Sequence, residues 1–334
     1  MIDIGPLNLQ VAIERWPLAI PFRITGYMWV AADLILVTLE KDGQVGRGEA
    51  MGVYYKNETP DSMVKQIELA RNEIENGISR ESLQRLLPRG GARCAVDCAL
   101  WDLEAKLTQR PAWQIAELQE PKPLRATFTI AADTPEAMAS FARDMDMQAI
   151  KLKLTGEPAD ADRVRAVRAI RPDVWLNVDA NQGFSINSLE CLMPVLVESQ
   201  VELIEQPFPI GQEYLLDDFR SPIPIAADES LQGLSDLPSL VGRFNVANIK
   251  LDKCGGLTEA LLMARSARAL GLDLMVGNML GTSLSTAPGF LLGQLCKVID
   301  LDGPIALKND REIAVQYAGG LLTCPKGVWG FPDW

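Results

Sequence analysis

Hydrophobic residues are spaced along this chain in two rhythms, and the change between them falls near residue 120. Before it, residues 2–13 and 33–50 read as strands. Leu34 to Leu39 is apolar and rich in branched side chains, and Lys41-Asp42-Gly43 supplies a turn into Val45. Helices follow. Thr59-Pro60 is a cap with a first-turn proline, and Ile67, Ala70 and Ile74 make a stripe that stops at Gly77. A second helix runs over 79–87 and stops at Pro88, and a third carries Val96, Leu100, Leu103 and Leu107 at helical spacing. Strands followed by helices predict a compact α+β unit. Pro111 and Pro121-Lys122-Pro123 punctuate its end.

From residue 124 short apolar runs alternate with amphipathic stretches. The runs cover 125–130, 149–154, 174–179, 201–205, 223–228, 246–251, 273–277 and 297–301, with stripes such as Leu189-Leu192-Met193-Leu196 and Leu257-Leu261-Ala264 between them. Eight strands with intervening helices predict a parallel β/α barrel. A doubly wound open sheet is the alternative, but no G-x-G-x-x-G follows any of the runs. The strand ends carry recurring polar residues: Lys151 and Lys153, Asp179, Glu205, Asp228, Lys250, Asn278, then Asp300 and Asp302, at steps of 22 to 28 residues. Each step is one βα unit, and a barrel gathers the C-terminal ends of its strands at one face, where barrel active sites lie. Singly, each residue reads as a solvated charge or a salt-bridge partner; together they define one ring.

Asp179, Glu205 and Asp228 offer three hard oxygen ligands from three successive strands. Without imidazole or thiolate, that set suits Mg2+, one ion per subunit, with Mn2+ as a substitute. An acidic patch without metal is the plainer alternative, but three anions crowded at one mouth repel. Lys151 and Lys153, two apart on one strand, point to the same face, and Lys250 stands across the trio from them. A like charge beside Lys153, partial burial and a nearby cation all disfavour its ammonium form, which is how a lysine becomes a base near neutral pH. Two opposed bases and a Lewis acid describe removal of an α-proton beside a carboxylate, an enediolate, and return of a proton to the other face with inversion. The competing use of such lysines is simply to neutralise the carboxylates.

Composition narrows the chemistry. The 334 residues include no histidine, which excludes Ser-His-Asp and Cys-His triads and histidine-ligated metals. Acid–base work falls to Lys, Asp, Glu, Tyr or Cys. A net charge of −12 argues against nucleic acid or an anionic membrane as partner. Cys94, Cys98, Cys191, Cys254, Cys296 and Cys324 include no C-x-x-C and read as small apolar side chains in a reduced protein. The N-terminus lacks the basic start and apolar run of a signal peptide, and no apolar stretch is long enough to span a bilayer. The expectation is a cytoplasmic protein.

The segments Ala149-Ile150-Lys151-Leu152-Lys153, Asn177-Val178-Asp179-Ala180-Asn181, Ile204-Glu205-Gln206-Pro207, Ala227-Asp228-Glu229-Ser230 and Asn248-Ile249-Lys250-Leu251-Asp252-Lys253-Cys254-Gly255-Gly256 span the barrel. They resemble the enolase superfamily, in particular its muconate-cycloisomerase-like subgroup with a K-x-K motif. Ala99-Leu100-Trp101-Asp102-Leu103 is similar to the helix leading from that family's capping domain. The resemblance implies an α/β fold: a modified (β/α)7β TIM-type barrel over 121–308, an N-terminal α+β capping domain over 1–120 with lid segments at about 20–30 and 50–58, and a C-terminal segment, 309–334, that returns to the cap. It implies Asp179, Glu205 and Asp228 as Mg2+ ligands and Lys153 and Lys250 as bases, a pattern of Lys bases with Mg2+ known from that superfamily. It gives substrate-binding places to Lys151 and Asn278 and supporting places to Asn181, Glu229 and Lys253. Members are commonly homo-oligomers.

Asp300-Leu301-Asp302-Gly303-Pro304 is similar to the D-x-D of dipeptide epimerases. Two carboxylates two apart on a strand share a face and can clamp an α-ammonium group, whereas an N-acylated substrate leaves such a pair uncompensated. Asp-Gly-Pro is also ordinary turn chemistry. Epimerases acting on L-Ala-D/L-Glu hold the glutamate with an arginine in the cap segment near Pro21-Phe22. Here the matching positions are Gly26 or Tyr27, and the nearest arginine is displaced to Arg23. Tyr27 and Tyr54, with Tyr55 and Lys56, make an aromatic-rich lid that favours a less acidic or apolar second residue, unless the rings only pack the lid onto the barrel. The expectation is a Mg2+-dependent dipeptide epimerase with a dipeptide as its small-molecule substrate. N-succinylamino-acid racemase, o-succinylbenzoate synthase and muconate cycloisomerase are the alternatives within the subgroup. A non-catalytic ligand-binding barrel is the alternative outside it.

Overall fold

The computed structural model describes residues 5–24 and 26–331. Strands β1 (Asn8–Ile24), β2 (Tyr27–Lys41) and β3 (Gln44–Met51) form an antiparallel sheet in that order, with the β2–β3 turn at Asp42-Gly43. The first strand runs well past the expected 13, while residues 2–4 of that expectation lie outside the described residues. The 20–30 segment expected as a lid loop is instead the end of the β1–β2 hairpin, its pairing irregular between Pro17 and Phe22. The reason is local: Ile20, Phe22, Ile24, Tyr27, Trp29 and Val30 are strand-favouring residues.

Helices Pro60–Leu69, Arg71–Glu75, Arg80–Leu86 and Gly91–Thr108 follow. Thr59 and Ser62 form a reciprocal capping box at the first, and the stripe of Ile67, Ala70 and Ile74 stays buried across a break at Ala70. The helix Gly91–Thr108 is buried over 91–106 because it lies between the cap sheet and the barrel. Its charged residues are partnered there: Asp102 accepts from the Arg47 and Gly330 N–H groups, each at 2.8 Å.

β4 (Leu124–Arg125) precedes an eight-stranded parallel sheet whose order follows the chain: β5 (Thr127–Ile130), β6 (Ala149–Lys153), β7 (Trp175–Asp179), β8 (Leu203–Glu205), β9 (Ile225–Ala227), β10 (Val246–Lys250), β11 (Asp273–Gly277) and β12 (Val298–Asp300). β12 comes round against β5. Across that seam the Thr129 N–H donates to the Asp302 carboxylate at 2.7 Å. One expected strand differs, because 125–130 splits at Ala126. β4 leaves the barrel to pair with β14 (Leu321–Thr323), which is a hairpin with β13 (Gln316–Ala318), and the Ala126 N–H donates to Gly320 O at 3.1 Å.

The period of two along parallel strands sorts the barrel interior into layers. Leu203, Ala226, Val246, Met275 and Val298, with Trp175, pack an apolar floor. Two residues further along, the inward positions turn polar at Asn177, Glu205, Asp228, Asn248 and Asp300, while β11 places Gly277 there. The segment after Ala306 stitches the two units together. Leu18 bridges to Leu307, Arg311 binds Glu14 and Glu49 of the cap sheet, and Trp329 Nε1 donates to Cys98 O at 3.0 Å. Among the described residues no helix is long and apolar enough to cross a membrane.

Candidate active site

Adjacent strands place the polar ends side by side: Lys153 beside Asp179, Asp179 beside Glu205, Lys250 beside Gly277, and Gly277 beside Asp300. Lys153 Nζ donates to Asp179 Oδ2 at 2.5 Å, and Lys250 Nζ to Asp228 Oδ2 at 2.8 Å. Lys151 sits on Asp300, with Glu205 Oε2 at 3.5 Å and Asp179 Oδ2 at 3.8 Å. Lys253 donates to Asp228 Oδ1 at 2.5 Å and is 1% exposed. Lys151, Lys153 and Lys250 line a cleft of about 1390 Å³ together with Asn181, Asn278, Asp300, Asp302 and the lid; Lys253 does not. Asn181 donates its backbone N–H to Asp179 Oδ1 at 2.8 Å and its amide to Glu229 Oε1 at 3.3 Å. Its backbone is left-handed, φ 42°, a strain that collects at functional sites.

Burial, then the charge of Asp179, pushes Glu205 up to about 8, and burial with Asp228 pushes Glu229 up to about 7. Burial also opposes charge on Lys151 and Lys250, but the carboxylates facing them prevail and raise both, Asp300 foremost for Lys151 and Asp228 for Lys250. Against its own burial, Asp228 is held far below the usual carboxylate range by Lys250 and Lys253. At Lys250 the ammonium form is therefore favoured while Asp228 pairs with it.

As the side chains stand, no three carboxylate or thiol side chains among the described residues close round a common point as a metal site; lysines occupy their oxygens instead. The donor set nonetheless fits a hard divalent cation. Glu205 Oε2 is buried without a hydrogen bond. Six carboxylates (Asp179, Glu205, Asp228, Glu229, Asp300 and Asp302) face the four lysines 151, 153, 250 and 253. With all six ionised, the excess is two negative charges, which one such ion balances, and its charge would favour the ionised forms that burial opposes at Glu205 and Glu229.

The D-x-D pair departs from expectation. β12 ends at Asp300, and Asp302 begins the 3-10 turn Gly303–Ala306, so the two do not share a strand face. Asp-Gly-Pro is turn chemistry here, and the Asp302 carboxylate is engaged by Thr129. Asp300 is paired with Lys151 through Oδ2, and its buried Oδ1 has no partner. With its amide turned to satisfy both ends, Asn278 donates to Asp300 O at 3.1 Å and accepts from the Gly303 N–H at 3.3 Å, so it braces this turn.

The lid aromatics pack on one another. Tyr27 stacks on Trp29 with centroids 5.6 Å apart and meets Tyr54 edge-on at 4.5 Å, and Tyr54 meets Tyr55 at 5.0 Å. The Tyr55 hydroxyl accepts from Gln232 of the barrel at 2.7 Å. Burial, then Glu229, raises the Tyr54 phenol, which places that hydroxyl in the field of the ring. Arg23 lines the cleft and is exposed. Among the described residues it is the one Lys or Arg of the cleft without a carboxylate partner.

Reading the strand ends alone misses Asn177 and Asn248, one inward step below them. Asn248 donates to Glu205 Oε1 at 2.7 Å, and both amide atoms of the buried Asn177 lack partners. The signal was an amide at an alternate position inside an apolar strand.

Two family descriptions match the chain: mandelate racemase/muconate lactonizing enzyme, N-terminal domain, over residues 7–116, and enolase C-terminal domain-like over 134–304. An L-Ala-D/L-Glu epimerase of Escherichia coli (strain K12) is 38% identical over 318 residues, covering 94% of this chain and 99% of the relative. An N-acetyl-D-glutamate racemase of a Pseudoalteromonas species is 36% identical over 89% of this chain and 95% of the relative. Among solved structures, an enolase family member from Agrobacterium tumefaciens with homology to dipeptide epimerases, holding sodium and L-Ala-L-Glu, superposes with a TM-score of 0.94 at 38% identity, covering 97% of this chain and all of the other. A dipeptide epimerase from Methylococcus capsulatus with Mg and L-Arg-D-Lys superposes with a TM-score of 0.90 at 30% identity, covering 97% and 99% of the two chains.

Proposed function

The chain belongs to the mandelate racemase/muconate lactonizing enzyme family of the enolase superfamily and, within it, to the dipeptide epimerases; from that premise we propose that Lys153 and Lys250 are the two bases that invert its substrate. The observation that carries this reading is the placement of two ammonium groups on two sides of one carboxylate set, Lys153 on Asp179 and Lys250 on Asp228, both open to one cleft. The protein is a Mg2+-dependent epimerase of dipeptides. Asp179, Glu205 and Asp228 would hold the Mg2+, which when bound supplies the positive charge that acidifies the α-proton beside a substrate carboxylate. Lys153 and Lys250, once their carboxylate partners are engaged elsewhere, lose the ion pairs that keep them charged. One lysine, neutral, takes the α-proton as the C–H bond breaks. The other, as ammonium, gives a proton to the opposite face as a new C–H bond forms. The two lysines exchange protonation states and the α-carbon is inverted.

Asp300 Oδ1, buried and unpartnered, is the acceptor we assign to the dipeptide α-ammonium. Arg23 supports an acidic second residue, against the apolar lid that favours a neutral one. A second reading has its own observation. Lys151 already neutralises Asp300, so an uncharged N-acyl group is tolerable there, and one relative is named for N-acetyl-D-glutamate. The test is incubation with Mg2+ in D2O of L-Ala-L-Glu, a set of other L,L-dipeptides, and N-acetyl- and N-succinyl-glutamate, following α-deuterium uptake. We expect uptake into dipeptides. Uptake into the N-acyl amino acids alone would sink the dipeptide reading. Asp300→Asn should weaken dipeptide turnover severely with Mg2+ affinity near normal, and unchanged turnover would leave Asp300 a structural partner of Lys151. A homo-oligomer in a reducing, cytoplasmic setting accompanies this reading; six free thiols support the latter, and light scattering in solution tests the former.

A further inference from the structure

We propose that Gly277 is a positioning residue for Lys250, an inference that rests on reading Lys250 as a base. Gly277 ends β11 in register with Lys250 on one side and Asp300 on the other. Its backbone is not left-handed, so conformation gives no reason for glycine, and glycine in a strand otherwise weakens it. Space gives the reason. A Cβ at 277 would lie 2.8 Å from Lys250 Cε and 2.9 Å from Asn248 Oδ1. Neither neighbour has open space to yield into: Lys250 is buried, 8% exposed, and the fully buried Asn248 holds Glu205 at 2.7 Å. The missing side chain is thus a notch through which the lysine crosses its neighbouring strand, and filling it swings Nζ away from the reacting carbon.

The test is Gly277→Ala, read as initial α-deuterium exchange in D2O with Mg2+ for each epimer separately. Proton removal from the epimer whose α-proton faces Lys250 should fall on the order of 100-fold, the effect of a displacement of about 1 Å. Removal from the other epimer, which Lys153 serves, should change far less, and KM should hold for both. An equal fall for both epimers, or no fall, overturns the proposal. Lys250→Ala run alongside separates the two ideas. If it spares both exchanges, the base assignment fails; if it silences one exchange and Gly277→Ala silences neither, only the notch fails. Should Gly277→Ala not fold, the double variant Lys250→Ala/Gly277→Ala decides. Removing the lysine stem relieves the tighter of the two contacts and leaves that with Asn248, so the double variant should recover a folded state by circular dichroism, and a double variant as unfolded as Gly277→Ala overturns the proposal.

Discussion

Among the described residues Arg23 has no carboxylate to answer it, while each other cation of the cleft has one. An open cleft screens it, so its effect is modest: Arg23→Ala should raise KM for L-Ala-L-Glu about tenfold and leave an apolar dipeptide unaffected. Equal losses on both substrates would remove Arg23 from substrate recognition. The same scale shows what could be read from the chain alone. Lys153, Asp179, Glu205, Asp228 and Lys250 were legible because parallel strands repeat at one βα step and the barrel collects their ends. The partners of Asp302 were not, since Thr129 lies 173 residues away in the chain and donates through its backbone, which no side-chain pattern records.

Among the elements, the contact that fixes the sixth barrel strand is the turn Gly255-Gly256, φ 83° and 114°, against the helix Gly91–Thr108. A side chain on either glycine would strike Arg93 or Asp97. Arg93 donates to Cys254 O and to Glu259, and Asp97 accepts the Thr258 N–H at 3.0 Å, capping the helix Leu257–Ala269. Burial, only partly offset by the Thr258 bond, pushes Asp97 up to about 6. Below pH 4 it is protonated in both states. Between about 4 and 6 the folded protein keeps a proton the unfolded chain has lost, so stability falls as pH rises, by about 3 kcal/mol in all, and is level above. Asp97→Asn should flatten that segment of a Tm-against-pH profile; an unaltered slope would assign it to other groups. Helix and strand identities here were legible from periodicity. The split at Ala126 was not, because the competitor for its N–H, Gly320, belongs to a hairpin nearly two hundred residues on.

The molecule as a whole is tied by Arg311. Its guanidinium reaches Glu49 and Glu14, each at 2.6 Å, and lies 5.2 Å over Trp16, while Thr282 gives Glu49 two further hydrogen bonds. Glu49 is 1% exposed, so Arg311→Met would strand a buried charge and should lower stability by about 3 kcal/mol, measured by urea unfolding, with kcat of the folded fraction retained. The tie also has a schedule. Glu49 leaves the ribosome 262 residues ahead of Arg311, roughly 13 to 50 s at ordinary elongation rates. For that interval β3, an edge strand of the cap sheet, carries an unanswered anion, and the nascent cap cannot settle against the barrel. Synthesis is therefore the phase in which this protein is most open to proteases and most dependent on chaperones, and slowing elongation late in the message should lower the yield of folded enzyme more than slowing it early.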